Sequence, residues 1–182
     1  GVTWGTDPDK VDYELLYNYC FDILKLAYSR FKPAKFPEFK AFCDENKSWL
    51  DEYALFMALK SANDGKAWYE WEGDISMHKP KAVAAAKKEL KKDIGFYKFI
   101  QFQFSRQWKA LKAYANDNGI EMVGDIPIYC ALDSVEAWAD HKLFWFDRKR
   151  RPVRVAGCPP DEFSPTGQLW GNPLYDWDYH KK

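Results

Sequence analysis

The feature that most constrains the fold is a long amphipathic pattern followed at once by a short apolar run. Apolar residues recur at helical spacing from Phe96 to Ala115, and the pattern ends at the polar turn 116–119. Residues 120–123 are apolar except for Glu121 and are suited to a strand, and Pro127 stops a continuing ladder. A strand that follows a long helix and ends at a Gly-Asp step is typical of a βα unit with a functional loop at its carboxyl end.

The first half of the chain is predicted to be mostly helical. Asp7 and Pro8 resemble a helix start, and the apolar stripe that follows extends to about Ser29. Residues 31–47 contain two prolines and are predicted to be irregular. Ser48 begins a pattern similar to a capping box, which predicts a short helix.

A turn and a loop divide the rest of this half into further helices. The predicted short helix ends near the turn at 63–65, and an aromatic-rich loop follows at 68–71. A helix rich in Ala and Lys is predicted to begin near residues 79–80. It precedes the long amphipathic helix.

The last third is predicted to contain short elements and loops. Residues 133–138 begin with a capping pair and predict a brief helix. The apolar run 143–146 and the stretch Val153 to Val155 flank the basic run 148–151, which predicts a hairpin with a solvated basic tip. Residues 157–172 are dense in Pro, Gly and polar residues and are predicted to form a long loop.

Charge and composition exclude several classes of function. The 27 basic and 27 acidic residues cancel, which disfavours nucleic acid as a partner. No apolar run suits a membrane span or a signal peptide, so we expect a cytoplasmic protein without a membrane partner. The four cysteines and three histidines are scattered, and we predict neither a metal site nor a cofactor. Since the sequence begins without Met, we expect an internal fragment of a longer protein.

Two regions carry side chains suited to ligand binding. Asp125 follows the predicted strand, where it could either face a cleft or cap its own loop. The segment 158–173 combines aromatic rings with carboxylate and amide groups. Sugar binding needs that mixture, because rings stack on the apolar faces of sugars while polar groups bind hydroxyls. An ordered loop anchored by its aromatic side chains would have the same composition.

Four sequence blocks carry a family resemblance. They are GDIPIY at 124–129, ALDS at 131–134, AGCPPD at 156–161 and GQLWGNPLYDW at 167–177. In order and spacing they closely resemble the amylomaltase (disproportionating enzyme) family of 4-α-glucanotransferases. The resemblance implies a helix-rich α/β fold that is a fragment of a (β/α)8 TIM barrel. Residues 1–92 would be a mostly helical inserted subdomain, and residues 93–182 a barrel βα unit with a hairpin and a long glucan-binding loop.

The same resemblance implies a set of substrate-binding residues. Asp125 would contact glucose hydroxyls near the cleaved bond, and Asp161, with its neighbours, would belong to a loop that closes over the glucan. The family often has an aromatic residue where this chain has Glu162. The full set of candidates is Asp125, Tyr129, Asp161, Phe163, Gln168, Trp170 and Asn172.

The implied activity is transfer of α-1,4-glucan segments between maltooligosaccharides by a retaining mechanism. That chemistry needs two carboxylates about 5 Å apart, one as nucleophile and one as acid and base. In the family they lie downstream of the block at 167–177, so we expect no catalytic residue in this chain and no activity of the chain alone. We expect the segment from residue 120 onward either to be paired with another copy of the chain, by self-association, or to be poorly ordered. The alternatives are a carbohydrate-binding module without catalysis and a helical interaction domain.

Overall fold

The structure is a computed structural model that describes residues 5–7 and 9–181. Helices dominate, and the described residues contain one two-stranded sheet. The helices are α1 (Tyr13–Arg30), α2 (Pro37–Glu45), α3 (Lys47–Ala62), α4 (Pro80–Glu89), α5 (Lys91–Asp117), α6 (Val135–Ala139) and α7 (Trp177–His180). The strands are β1 (Val155–Cys158) and β2 (Gln168–Pro173), and single 3₁₀ turns lie at Pro33–Lys35, Trp68–Glu70, Gly73–Ile75 and His141–Leu143.

The first helix begins later than the sequence predicted. The cap is Asp12, whose carboxylate accepts a hydrogen bond from the backbone N–H of Leu15 at 3.0 Å. Asp7 instead closes a local turn by accepting from the backbone N–H of Asp9 at 3.0 Å. Pro8, which was predicted at the first helical position, lies outside the described residues. The N-cap of α1 is therefore the carboxylate residue that directly precedes the helix, Asp12, and not Asp7.

The prediction of an irregular segment at 31–47 is wrong. Pro33 and Pro37 each occupy the first position of a helical element, where the missing N–H of proline costs nothing. Asn46, and not Ser48, occupies the N-cap position of α3, and its side chain makes no capping bond there. The predicted ends of α3 and α5 and the predicted start of α4 at Pro80 are confirmed.

The core lies between α3, α5 and the aromatic residues around them. Ala54 and Ala58 of α3 pack against Phe96 and Tyr97 of α5. A larger cluster contains Leu55, Phe56, Leu59, Trp68, Trp71, Val83, Ala86, Ala137, Trp138 and Phe144. The predicted aromatic loop at 68–71 is therefore part of the core. Within the described residues, no helix has the length and apolar character that a membrane span requires.

Helix α1 crosses α5 at a glycine. A Cβ atom at Gly95 would lie 2.2 Å from the hydroxyl oxygen of Tyr28. The ring of Tyr28 packs beside Phe96 and Phe99, with centroids 5.8 and 5.5 Å apart. The small residue lets the two helices approach closely enough for these ring contacts.

The predicted strand at 120–123 is absent from the structure. Residues 120–127 have no regular secondary structure and are exposed. Val123 is 96 % exposed, and Ile126 and Ile128 are 84 % and 77 % exposed. A strand needs a neighbour to accept its backbone hydrogen bonds, and in the described part of the chain no other strand lies beside this segment.

The predicted hairpin with a basic tip is confirmed in outline. Phe146 pairs with Pro152 in an antiparallel bridge, and the backbone N–H of Asp147 donates to the oxygen of Arg151 at 2.9 Å. The tip is not fully solvated, because the Arg150 side chain is buried. Its guanidinium donates to the backbone oxygen of Trp138 at 2.8 Å, and burial lowers its pKa.

The predicted long loop at 157–172 is largely a second hairpin. Strands β1 and β2 pair antiparallel, with Cys158 opposite Gln168 and Gly157 opposite Leu169. A Cβ atom at Gly157 would lie 2.5 Å from the backbone oxygen of Gln168, so this close approach requires glycine. Residues 159–167 form the tip of the hairpin.

Candidate functional site

The predicted substrate-binding residues lie in three places. Two are in the irregular segment after α5, two are in the tip between β1 and β2, and three are in β2 itself. In that order they are Asp125 and Tyr129, Asp161 and Phe163, and Gln168, Trp170 and Asn172. All seven are exposed or half-buried, so each side chain is accessible to a ligand at least in part.

Tyr129 joins the segment after α5 to the second strand. Its ring centroid lies 6.2 Å from that of Trp170, with the planes at 56°. The ring of Tyr129 also stacks on that of Tyr175, with a centroid distance of 6.1 Å and planes at 15°. The structure therefore brings Tyr129 and Trp170 together, although they are 41 positions apart in sequence.

The neighbouring backbone is fixed by β2 as well. The side-chain amide of Asn172 donates to the backbone oxygen of Cys130 at 2.9 Å. The Cys130 thiol lies 3.4 Å from the hydroxyl of Tyr175. Burial, and then the hydrogen bond with Cys130, raises the pKa of Tyr175 to about 12. The residue after Tyr129 is thus held at both its carbonyl and its side chain.

Trp170 is oriented by a residue of its own strand. Its indole Nε1 donates to the side-chain oxygen of Gln168 at 2.8 Å. Trp170 is 49 % exposed. A partly exposed ring with its polar edge already bonded offers an apolar surface to a ligand.

The carboxylate of Asp161 organises the hairpin tip. One oxygen accepts from the backbone N–H groups of Phe163 and Ser164, at 3.0 and 2.7 Å. The Ser164 hydroxyl donates to the backbone oxygen of Gly167 at 2.8 Å. Phe163 is 91 % exposed, so its ring projects from a tip that is ordered by its own hydrogen bonds.

The structure is compatible with both roles that the sequence suggests for Asp125, which are ligand binding and capping of its own loop. One carboxylate oxygen accepts from the backbone N–H of the next residue, Ile126, at 2.7 Å. The side chain is exposed, and among the described residues no other side chain hydrogen-bonds to it. The geometry includes a local bond of the loop-capping kind and leaves the carboxylate accessible.

Several structural residues of this region were not predicted as part of the site. Tyr175 lies at the centre of an aromatic group with Tyr129, Phe144 and Trp177. A cavity of about 260 Å³ is lined by Ile128, Tyr129, Trp145, Leu174, Tyr175 and Trp177. Tyr175 lies in the sequence block 167–177, which indicated that it belongs to this region. The block did not indicate that Tyr175, and not a neighbouring aromatic residue, lies at the centre of the aromatic group.

Metal-ligating side chains do not cluster in the part of the chain that the structure describes. Residues 5–7 and 9–181 contain no group of three or more His, Cys, Asp or Glu side chains that could hold a metal ion. The four cysteines are free thiols and half-buried. The polar side chains near Tyr129 and Trp170 include the amides of Gln168 and Asn172 and the hydroxyl of Tyr175. Amides and hydroxyls bind hydroxyl-rich ligands by hydrogen bonds.

Comparison with known proteins identifies the family. A family model for 4-alpha-glucanotransferase matches residues 3–182. A 4-alpha-glucanotransferase of Clostridium butyricum is 43% identical over 180 residues, which cover 98% of this chain and 37% of that protein. The Thermus thermophilus 4-alpha-glucanotransferase is 47% identical over 178 residues, covering 96% of this chain and 36% of the relative.

Solved structures agree with the sequence relatives. The amylomaltase from Streptococcus agalactiae in complex with acarbose superimposes with a TM-score of 0.89 at 40% identity. The match covers 99% of this chain and 37% of the amylomaltase chain. This chain therefore spans little more than a third of the length of its relatives. Because the family model covers nearly every residue, the chain belongs to the 4-α-glucanotransferase family.

Proposed function

We propose that this chain forms part of the glucan-binding surface of a 4-α-glucanotransferase. The parent protein would transfer α-1,4-glucan segments between maltooligosaccharides. The observation that carries the proposal is the junction of Tyr129 with Trp170, beside the side-chain amide of Gln168, in a chain that belongs to this family. An amylomaltase of similar structure binds acarbose, which also favours this ligand class.

The chemistry of the junction suits an oligosaccharide. The partly exposed ring of Trp170 would stack on the apolar face of a glucose unit, and stacked rings contribute on the order of 1 kcal/mol. The carboxylate of Asp125 would bind sugar hydroxyls. Phe163, on a tip that Asp161 orders, would cover the chain of sugars. Both Gln168 and Asn172 would act through the backbone and rings that they hold.

We propose that the reaction itself uses carboxylates from the remainder of the parent protein. A retaining transfer forms a covalent glycosyl-enzyme and passes the glycosyl group to a sugar hydroxyl instead of water. The part supplied by this chain is binding and orientation of the glucan. Exclusion of water by the closing tip would favour transfer over hydrolysis.

We further propose that the complete fold is a (β/α)8 barrel, with residues 1–92 as a helical insertion. The exposed apolar side chains of Val123, Ile126 and Ile128 support this proposal. Barrel strands are buried on both faces, so such residues would be covered once neighbouring strands are present. The boundary between residues 92 and 93 stays a prediction.

A chimeric enzyme tests the proposal. The chain would replace the matching segment of the Clostridium butyricum relative, and glucose release from maltotriose would be measured. We expect an active chimera in which Trp170→Ala lowers kcat/KM by about tenfold, because a stacking surface is lost. The matched control is Trp49→Ala, which removes an indole of similar exposure, 44 % against 49 %, from α3.

Three outcomes would contradict the proposal. One is a folded chimera without transferase activity. Another is equal activity of the Trp170→Ala and unsubstituted chimeras. The third is tight binding of maltooligosaccharides by the isolated chain, which would favour a carbohydrate-binding module.

A further inference from the structure

We infer that Asn172 is a positioning residue, which ties the segment bearing Asp125 and Tyr129 to strand β2. The bond that carries the inference runs from the Asn172 side-chain amide to the backbone oxygen of Cys130 at 2.9 Å. It joins residues 42 positions apart in the sequence. The inference rests on the proposed function only for its consequence in glucan binding.

The segment needs such a tie because it makes few contacts of its own. At its start, the backbone N–H of Ile120 donates to the oxygen of Ala115 at the end of α5. Residues 121–128 are then exposed and without regular structure. Contacts resume at Tyr129 and Cys130, so the position of the exposed segment depends on how these two residues are held.

Two residues of strand β2, and Tyr175 just after it, hold them. Trp170 and Tyr175 contact the ring of Tyr129, and Tyr175 also lies 3.4 Å from the Cys130 thiol. Asn172 lies between these two residues in sequence and supplies a directional bond to the backbone. Ring contacts allow sliding, whereas a hydrogen bond to a carbonyl fixes the direction of the main chain.

Pro127 carries this constraint toward Asp125. Its ring fixes φ and restricts the residue before it to extended conformations. With the carbonyl of Cys130 fixed, the four intervening residues therefore have few ways to place the Asp125 carboxylate. Asn172 thus acts on the glucan site through the main chain, and its amide N–H needs no contact with sugar.

The reactivity of the Cys130 thiol tests the inference in this chain directly. Cys20, Cys43 and Cys158 would be replaced by Ser, leaving Cys130 as the single thiol. Asn172→Asp keeps the side-chain shape but replaces the N–H donor with a carboxylate. We expect labelling of Cys130 by a disulfide reagent to become about fivefold faster, because loss of a neutral hydrogen bond shifts a local opening by about that factor.

Asn63→Asp is the matched control. The Asn63 amide donates to a backbone oxygen, that of Leu59, at 2.8 Å and is half-buried like Asn172. Its substitution removes a similar bond at the end of α3, so Cys130 labelling should not change. Equal labelling rates in the Asn172→Asp and unsubstituted chains would overturn the inference, as would equal acceleration by Asn63→Asp.

The chimeric enzyme separates positioning from a general loss of fold. We expect Asn172→Asp to raise the KM for maltotriose at least threefold while kcat changes less, because the segment must be ordered before it binds sugar. Partial unfolding would lower the apparent kcat at constant KM, and that result would contradict the inference. An inactive chimera with accelerated labelling of Cys130 would count against the proposed function while the positioning role is retained.

Discussion

The indole Nε1 of Trp68 donates a hydrogen bond to the backbone oxygen of Leu132 at 2.7 Å. This bond connects the helical part of the chain to the segment that leads away from Tyr129. Asp133 strengthens the connection, because one carboxylate oxygen accepts from the Trp68 backbone N–H and the other pairs with Lys60 at 2.5 Å. The segment that bears Asp125 and Tyr129 is therefore anchored on the core from one side and on β2 from the other.

The first prediction concerns this anchor. Asp133→Ala should lower the free energy of unfolding by about 2 kcal/mol, because it leaves a half-buried ammonium and a backbone N–H without their acceptor. Asp44→Ala is the control, since Asp44 pairs with Lys40 at the same distance but in full solvent exposure. Chemical denaturation should detect no change for the control. Equal losses in both variants would mean that burial of the pair is irrelevant.

The effect of Gly95→Ala on stability should depend on a second residue, Tyr28. Gly95→Ala should destabilise the protein by about 2 kcal/mol, because the new methyl group would clash with the Tyr28 hydroxyl at 2.2 Å. In a Tyr28→Phe background the clash is removed, and the better helix propensity of alanine, about 1 kcal/mol, offsets the remaining crowding. Thermal unfolding of the four proteins tests this. An identical effect of Gly95→Ala in both backgrounds would refute the steric account.

Acid should weaken an interaction between α3 and the residues near α4. The hydrogen bond from His78, together with that from Lys87, lowers the pKa of Glu52 to about 2, from the usual 4.5. A depressed pKa means that the stabilisation is present above about pH 4.5 and is lost as the pH falls toward 2.

Comparison with a neutral isostere measures this contribution. The stability of the unsubstituted chain should fall more steeply between pH 4.5 and 2 than that of Glu52→Gln. Denaturant unfolding at several pH values gives both curves. Parallel curves over that range would show that Glu52 has no such role.

The isolated chain should have no transferase activity. The reaction requires a nucleophilic carboxylate and a second carboxyl group that acts as acid and then as base, and we place both in the remainder of the parent protein. Maltotriose incubated with the purified chain should release no more glucose than a buffer blank. Release that disappears in Asp125→Ala would instead place catalysis within these residues.

Self-association is expected through the exposed apolar segment. Val123, Ile126 and Ile128 present their side chains to solvent, and such residues favour contact with another apolar surface. Val123→Lys should weaken association without loss of stability, because that side chain is 96 % exposed. Sedimentation at several concentrations measures the effect. A monomer at all concentrations, with residues 120–175 as protected from hydrogen exchange as the helices, would contradict the expectation.

Local signals predicted the helices well and the sheet poorly. The apolar spacing from Phe96 to Ala115 was sufficient for α5, because a long periodic stripe has few alternative structures. The prolines at 33 and 37 were misleading, since the same residue breaks a helix or begins one according to its position. The predicted strand at 120–123 failed because strand formation depends on neighbours that local sequence does not contain.

The candidate site was predicted mainly by resemblance to the family. Its motifs named Tyr129 and Trp170 separately, and the structure then brought the two rings to 6.2 Å. The bond from Asn172 to Cys130 could not be predicted from spacing, because it joins two loops whose approach depends on the whole fold. Composition alone also could not separate the buried Trp138 from exposed tryptophans.

The hairpin tip between β1 and β2 makes its polar bonds within itself. Asp161 bonds to Phe163 and Ser164, and Ser164 bonds to Gly167. A turn that is internally satisfied can be exchanged as a cassette between relatives, provided that the two strands beneath it keep their pairing. Sequence changes confined to residues 159–167 could therefore alter the surface of the tip, and a protein engineer could graft the same short stretch without rebuilding the helical core.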